Sequence, residues 1–158
     1  KKLSESPSSD LREIKAVLPV LSSKTIKVPY LSATSMLKYN EDKNLPFWEL
    51  AAIYESSRGG ISQEEVVEKM GKLVKILQNA VVEGRKGTEY KDRILPCQTL
   101  NFEKEMARGG LIPGDIINKI ILYVSAIMEV KSSMGVIVAA PTAGSAGALP
   151  GAVLAVAN

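Results

Sequence analysis

Residues 136–158, VIVAAPTAGSAGALPGAVLAVAN, contain the most unusual residue choices of the chain. An apolar run leads to Pro141, small residues with two hydroxyls fill positions 142–147, and a second apolar segment begins at Leu149. This order predicts an apolar element, a tight loop and the start of a helix. Small side chains at a helix N-terminus leave backbone N–H groups uncovered, where the helix dipole adds positive potential. The loop therefore has the composition of an anion-binding site.

Two interpretations of this loop remain open from its composition. In the first, Thr142, Gly144, Ser145 and Gly147 bind a substrate or cofactor through N–H and hydroxyl groups, with Ser132 and Ser133 as neighbours in the pocket. In the second, glycine and alanine only allow two helices to pack closely, and nothing binds there.

The motif PTAGSAG followed by LPG, with EVKSSMGVIVAA ahead of it, also carries a family resemblance. It resembles the Gly-rich segment of the alpha subunit, or alpha domain, of the iron-sulfur-dependent L-serine dehydratases. The likeness is close over residues 129–153 and continues as a helical pattern back to about residue 45.

The resemblance implies a lyase of amino-acid metabolism and gluconeogenesis that converts L-serine to pyruvate and ammonia. It implies a 4Fe-4S cluster whose open iron acts as a Lewis acid on the substrate hydroxyl. It further implies a small amino-acid substrate, a beta-type subunit or domain, and a homo-oligomer.

The chain departs from the family pattern at the cluster. The family's cysteine ligand corresponds to Ala146 or Ala148 here, and its other cluster cysteines lie beyond Asn158. The family's upstream Gly-rich segment is not recognisable in ILPCQTLNFEKE, residues 94–105. We therefore expect these residues alone to bind no cluster. The alternative function is a non-catalytic helical module, or a subunit fragment, that binds a partner chain or a small anion.

Length and composition predict one globular helical domain over residues 1–158, with a loose N-terminus at residues 1–10. A hydrophobic content of 46% and a charged content of 23% are globular values, and only 5% aromatic residues means an aliphatic core. The net charge of +3 comes from interspersed residues, so no nucleic-acid partner is expected.

The chain has no histidine and a single cysteine, Cys97. Without histidine it lacks the commonest general base near neutral pH, and Cys97 has no intrachain disulfide partner. The lone thiol is expected to be buried and inert, and the localisation cytoplasmic. No apolar run approaches the ~20 residues that span a bilayer, so no membrane role is expected.

The two ends of the chain predict a fragment or a processed chain, and the resemblance implies a fragment of a longer alpha-type catalytic domain. The sequence begins with Lys1, and it stops at Asn158 inside an apolar helical pattern. Near the N-terminus, Ser8 or Ser9 is the expected cap of a short helix reaching Leu18, and residues 21–31 are expected to be coil.

Helix signals over the rest of the chain predict an all-α fold, a multi-helix domain with the Gly-rich loop between core helices. Two interpretations exist for Trp48 and Tyr54, which fall in the helix that begins near Asn44: they line a substrate pocket, or they pack in the core. Aromatic residues at core spacing are usually buried, so we expect the second. The predicted helices are residues 32–39, a helix from Asn44 and Pro46 to Gly59, one capped by Ser62 and Glu65 and ending near Gly84, residues 100–107, and a long helix from Asp115 to about Ser133.

Overall fold

A computed structural model describes residues 19–23 and 27–157 of the chain. Within those residues the fold is all-α, with six helices and no strand, as the sequence predicts. The helices are α1 Ala33–Asn40, α2 Phe47–Gly59, α3 Gln63–Lys86, α4 Thr99–Ala107, α5 Asp115–Ser132 and α6 Ala148–Ala157. The predicted loose terminus and the helix ending at Leu18 lie outside the described residues. None of the helices that are described combines the length and apolarity needed to cross a membrane.

The chain divides into two compact units, Lys1–Val66 and Val67–Asn158, and the boundary falls inside α3. The single domain expected over residues 1–158 stays a prediction.

The first unit contains α1, α2 and a small cluster of tyrosines. Tyr30 is buried; its ring stacks on Tyr54 with 5.7 Å between centroids, and its hydroxyl donates to the Leu50 carbonyl. Trp48 was expected in the core but is exposed. Helical spacing predicts which residues share one face of α2. It does not predict whether another part of the chain covers each residue of that face, because this depends on the tertiary structure.

The predicted ends of α2 and α3 are close to the observed ones. Gly60 ends α2 in a left-handed conformation with φ 65°, and the Ser62 hydroxyl accepts from the Glu65 N–H at 3.1 Å near the start of α3. The start of α2 differs from the prediction, because Asn44 is itself left-handed at φ 50° and the helix begins at Phe47 after Pro46. Leu45 and Pro46 thus separate the predicted start from the helix, and Pro46 is extended.

In the second unit, α5 is central, and the helices α3 and α6 approach it through glycines. A Cβ placed on Gly84 of α3 would lie 2.2 Å from the carbonyl oxygen of Ala126 in α5. Since real Cβ atoms do not come that close to backbone, α3 and α5 pack at this distance only because residue 84 has no side chain. The buried core beside this contact consists of Ala80, Val81, Ile127, Val130 and Leu154.

The helices α5 and α6 pack against each other in the same way. A Cβ on Gly147 would meet the Met128 side chain at 2.6 Å, and a Cβ on Gly151 would meet the backbone N of Val124 at 2.7 Å. The step of four residues from Gly147 to Gly151 matches a step of four residues backwards in α5, from Met128 to Val124. The two helices are therefore antiparallel. Ala155, a further turn along α6, is also buried, and this row of small residues allows the close approach.

Candidate functional site

The Gly-rich loop, residues 142–147, lies immediately before α6 as predicted. The apolar element predicted ahead of the loop is wrong, because residues 136–140 form neither helix nor strand. An apolar run this short does not by itself specify a regular element. Its hydroxyls bond to each other: Thr142 Oγ1 and Ser145 Oγ are 3.0 Å apart. The N–H of each residue also donates to the hydroxyl of the other, at 3.3 Å in both directions. These four groups hold the loop in a closed turn, so a ligand would reach either hydroxyl only by sharing or replacing these bonds.

A lysine connects the loop to α5. Lys131, in the last turn of that helix, donates from Nζ to the Ala143 carbonyl at 2.7 Å. This contact places an ammonium group beside the loop and leaves two of its three donor hydrogens for other acceptors. The sequence analysis gave Lys131 no role in the site, although a basic residue in the last turn of a helix that ends ahead of the loop was a usable signal.

The predicted neighbours Ser132 and Ser133 make no hydrogen bond to the loop within the described part of the chain. The N–H of Ser133 bonds to the Glu129 carbonyl at 3.0 Å, which ends α5, and its hydroxyl is buried without a hydrogen-bond partner. The backbone of Ser133 thus caps the C-terminus of α5. A role of Ser132 or Ser133 in ligand binding stays a prediction.

The loop glycines differ in their surroundings. Gly147 is buried against Met128, so close helix packing explains its missing side chain. Gly144 is exposed, and a Cβ there would meet only Thr142 Oγ1, at an ordinary 3.7 Å. Packing therefore does not explain why residue 144 is a glycine. Of the two loop glycines, Gly144 is the one whose missing side chain leaves the backbone open to a ligand.

The two positions corresponding to the family's cluster cysteine also differ. Ala146 is fully buried and Ala148 is exposed, and neither methyl group can ligate iron. Across residues 19–23 and 27–157, no three His, Cys, Asp or Glu side chains are grouped closely enough to hold a metal ion. The described residues by themselves do not fit an iron-sulfur cluster, which thiolates hold.

A second polar site, centred on Glu129 of α5, was not predicted. Glu129 is only 3% exposed, and its Oε1 accepts hydrogen bonds from the Gln98 N–H, the Thr99 N–H and the Thr99 hydroxyl, each at 2.7 Å. Burial acts to raise the pKa of this carboxyl, but those donors, with the Cys97 thiol, outweigh it and hold the pKa below its usual value. The carboxylate thus binds the N-terminus of α4 to α5.

Arg93 and Cys97 lie around this carboxylate. Arg93 Nη2 is 3.9 Å from Glu129 Oε2, while Arg93 Nε and Nη1 donate to the carbonyls of Leu95 and Thr88. Cys97 is half-buried and lines an open depression of about 610 Å³ together with Arg93. Cys97 was expected to be buried, and its half-buried position differs from that expectation. The reactivity of its thiol stays a prediction.

The sequence of the chain is similar to known proteins over most of its length. The family model described as "Serine dehydratase alpha chain" matches residues 42–158. The Bacillus subtilis (strain 168) protein named "Probable L-serine dehydratase, alpha chain" is 23% identical over 127 residues, which cover 80% of this chain and 42% of that protein.

A second relative gives the same result. The "L-serine dehydratase, alpha chain" of Peptoniphilus asaccharolyticus is 24% identical over 125 residues, which cover 78% of this chain and 43% of that protein. The chain therefore spans less than half the length of each of these relatives. No solved structure gives a significant match.

Proposed function

Because the chain belongs to the serine dehydratase alpha chain family, we propose that it supplies the substrate-binding loop of a lyase that converts L-serine to pyruvate and ammonia. The observation that carries the proposal is the family match, which includes the loop at residues 142–147. The two relatives are named L-serine dehydratases, and this is the reason to choose L-serine as the substrate.

The loop and its surroundings support binding of an amino-acid carboxylate. Gly144 is exposed, so an anionic group can approach the main chain without a side chain in the way. The Lys131 ammonium beside Ala143 adds positive charge at the same place. The bonded pair of Thr142 and Ser145 keeps the turn closed before a ligand arrives, which reduces the entropy lost on binding.

The 4Fe-4S cluster of the family would supply Lewis-acid chemistry at the substrate hydroxyl. This chain offers one cysteine, and alanines stand at positions 146 and 148, so the proposal assigns the cluster ligands to another segment or chain. A beta-type subunit or domain, a homo-oligomer and a cytoplasmic location belong to the same proposal.

Iron-sulfur reconstitution of the 158-residue chain is the test of this assignment. After anaerobic incubation with iron and sulfide, followed by desalting, we expect far less than one cluster per chain, because a single cysteine cannot provide several thiolates. A ferredoxin treated in parallel is the positive control. A stoichiometric cluster that persists in the chain would contradict the assignment.

Substitutions in the loop test where L-serine binds. Gly144→Val is expected to abolish calorimetric binding of L-serine, because its side chain covers the approach to the backbone. Ser145→Ala is expected to weaken binding by about 0.5–1.5 kcal/mol, and by up to about 3 kcal/mol if its acceptor is charged. Small anions are titrated in parallel.

The matched control for the loop variants is Cys97→Ser, which is expected to leave binding unchanged. Gly144→Val should fold normally, since a Cβ at residue 144 has only one neighbour, at 3.7 Å, and a thermal melt checks this. Loss of binding in Cys97→Ser with full binding in Gly144→Val would place the ligand outside the loop.

A non-catalytic helical module that binds a partner chain or a small anion is the second candidate. The specific observation in its favour is alanine at both candidate positions of the cluster cysteine, 146 and 148. The two functions differ in the colour of the purified protein and in the release of pyruvate. The enzyme, purified without oxygen together with the chain that completes it, is brown and releases pyruvate from L-serine, whereas the module does neither.

A further inference from the structure

Lys131 carries the last charged side chain of the sequence and lies beside the Gly-rich loop. No Asp, Glu, Lys or Arg occurs among residues 132–158, which include the loop and α6. The Lys131 Nζ donates to the Ala143 carbonyl at 2.7 Å. Across residues 19–23 and 27–157, no Asp or Glu forms an ion pair with this ammonium. The loop therefore lies beside a positive charge that no described carboxylate neutralises.

Glu129 is the acidic residue nearest to Lys131 along the sequence, and its carboxylate is already bonded elsewhere. It is only 3% exposed, and its Oε1 accepts from the N–H groups of Gln98 and Thr99 and from the Thr99 hydroxyl. Its Oε2 faces Arg93 at 3.9 Å. These contacts direct the carboxylate towards the start of α4, so it is available neither to Lys131 nor to the ammonium group of a ligand in the loop.

An unneutralised ammonium group distinguishes between the two charged ends of an amino acid. It attracts a carboxylate, and a hydrogen bond between charged groups is roughly twice as strong as one between neutral groups. It repels the ammonium end of the ligand, for which the bonded Glu129 offers no opposite charge. The loop with Lys131 therefore has the chemistry to bind one end of a zwitterion and not the other.

We infer that this chain forms only the carboxylate half of the dehydratase substrate site, with Lys131 as the residue that binds the carboxylate. The ligands of this half are small carboxylates with or without an amino group, including the deaminated product pyruvate. Recognition of the amino group belongs to the segment or chain that completes the site. The inference rests on the proposed function, because it takes the Gly-rich loop as the place where L-serine binds.

The test is a titration of the isotope-labelled 158-residue chain, followed by NMR, with three compounds of almost the same size. L-glycerate is L-serine with a hydroxyl in place of the ammonium group, and L-serinamide is L-serine with an amide in place of the carboxylate. We expect L-glycerate to bind within about three-fold of L-serine, and L-serinamide to bind at least about ten-fold more weakly. The amide signals of Gly144 and Ser145 are expected to shift with both carboxylates.

Charge variants of Lys131 identify its role. Lys131→Gln is expected to weaken the binding of L-glycerate and L-serine by about ten-fold, because the amide can still donate to the Ala143 carbonyl but carries no charge. Lys131→Arg should retain most of the affinity, since the guanidinium is also a cation. Raising the salt concentration should weaken carboxylate binding to the unchanged chain and have little effect on Lys131→Gln. A lysine with a purely structural role would not give this salt dependence.

The matched control is Lys119→Gln, which removes the same charge from the same helix about 18 Å away from residue 131. It should bind all three compounds as the unchanged chain does, and circular dichroism checks that the variants fold. The inference is overturned if L-serinamide binds as well as L-serine, if either carboxylate fails to bind, or if Lys131→Gln keeps full affinity for both carboxylates.

Failure of the proposed function would give a different result. A chain that binds L-glycerate through Lys131, but releases no pyruvate from L-serine together with the chain that completes it, contradicts the proposed function alone. An active enzyme whose KM for L-serine is unchanged by Lys131→Gln contradicts the inference alone.

Discussion

Replacing Gly84 with alanine is expected to lower the free energy of unfolding by about 3 kcal/mol. The added methyl group would stand 2.2 Å from the Ala126 carbonyl oxygen and 2.5 Å from its carbon. These are backbone atoms, which cannot rotate away as a side chain can, so α3 and α5 must separate. Separation opens the neighbouring core of Ala80, Val81 and Ile127. Urea denaturation followed by circular dichroism measures the loss.

Gly71 is the matched control, because it lies in the same helix with nothing within 4 Å of a Cβ. Gly71→Ala is expected to raise stability by about 0.5–1 kcal/mol, since alanine has the better helix propensity and the less flexible unfolded chain. Opposite signs for the two substitutions would show that contact with α5 decides the outcome. A gain for Gly84→Ala would mean that α3 and α5 are farther apart than described.

Replacing Glu129 with glutamine is expected to lower the free energy of unfolding at pH 7 by about 2 kcal/mol. The carboxylate accepts three hydrogen bonds through one oxygen and faces Arg93 with the other. The amide keeps a similar shape but loses the charge, so its bonds to the start of α4 are weaker and Arg93 is left without an opposite charge.

The effect of Glu129→Gln should depend on pH in a defined direction. The folded-state pKa of Glu129 is lowered, so ionised Glu129 stabilises the fold. That contribution is complete above the ordinary pKa that Glu129 has in the unfolded chain, and it is lost as the pH falls through the lower folded-state pKa. The stability difference between the unchanged chain and the variant should therefore shrink in acid, as measured by urea denaturation at a series of pH values.

Glu83→Gln is the control for the charge change. Its carboxylate pairs with Lys86 at 2.9 Å on the exposed surface of α3, where such pairs contribute about 1 kcal/mol or less. We expect a small loss of stability from it. A stability difference for Glu129→Gln that grows as the pH falls would contradict the role assigned to this carboxylate.

Helix ends were the most predictable part of the fold. The Ser62 cap, the stop at Gly60 and the start of α5 after Gly114 all follow from residues within one turn of the boundary. The Gly-rich loop before α6 was predictable for the same reason, since small residues and a following apolar segment are local features. Exposure was less predictable, as Trp48 shows, because it depends on residues distant in sequence.

The sequence by itself determined the all-α class, the order of the helices, the position of the loop and the absence of enough cysteines for a cluster. Only the tertiary structure distinguished Gly147, which packs on Met128, from the open Gly144, although the two glycines look alike in the chain. It alone joined Glu129 to Thr99, thirty residues away. The physical reason is the distance along the sequence over which each interaction acts. Helix caps and helical periodicity involve residues within a turn or two, whereas burial and buried hydrogen bonds depend on which helices pack together.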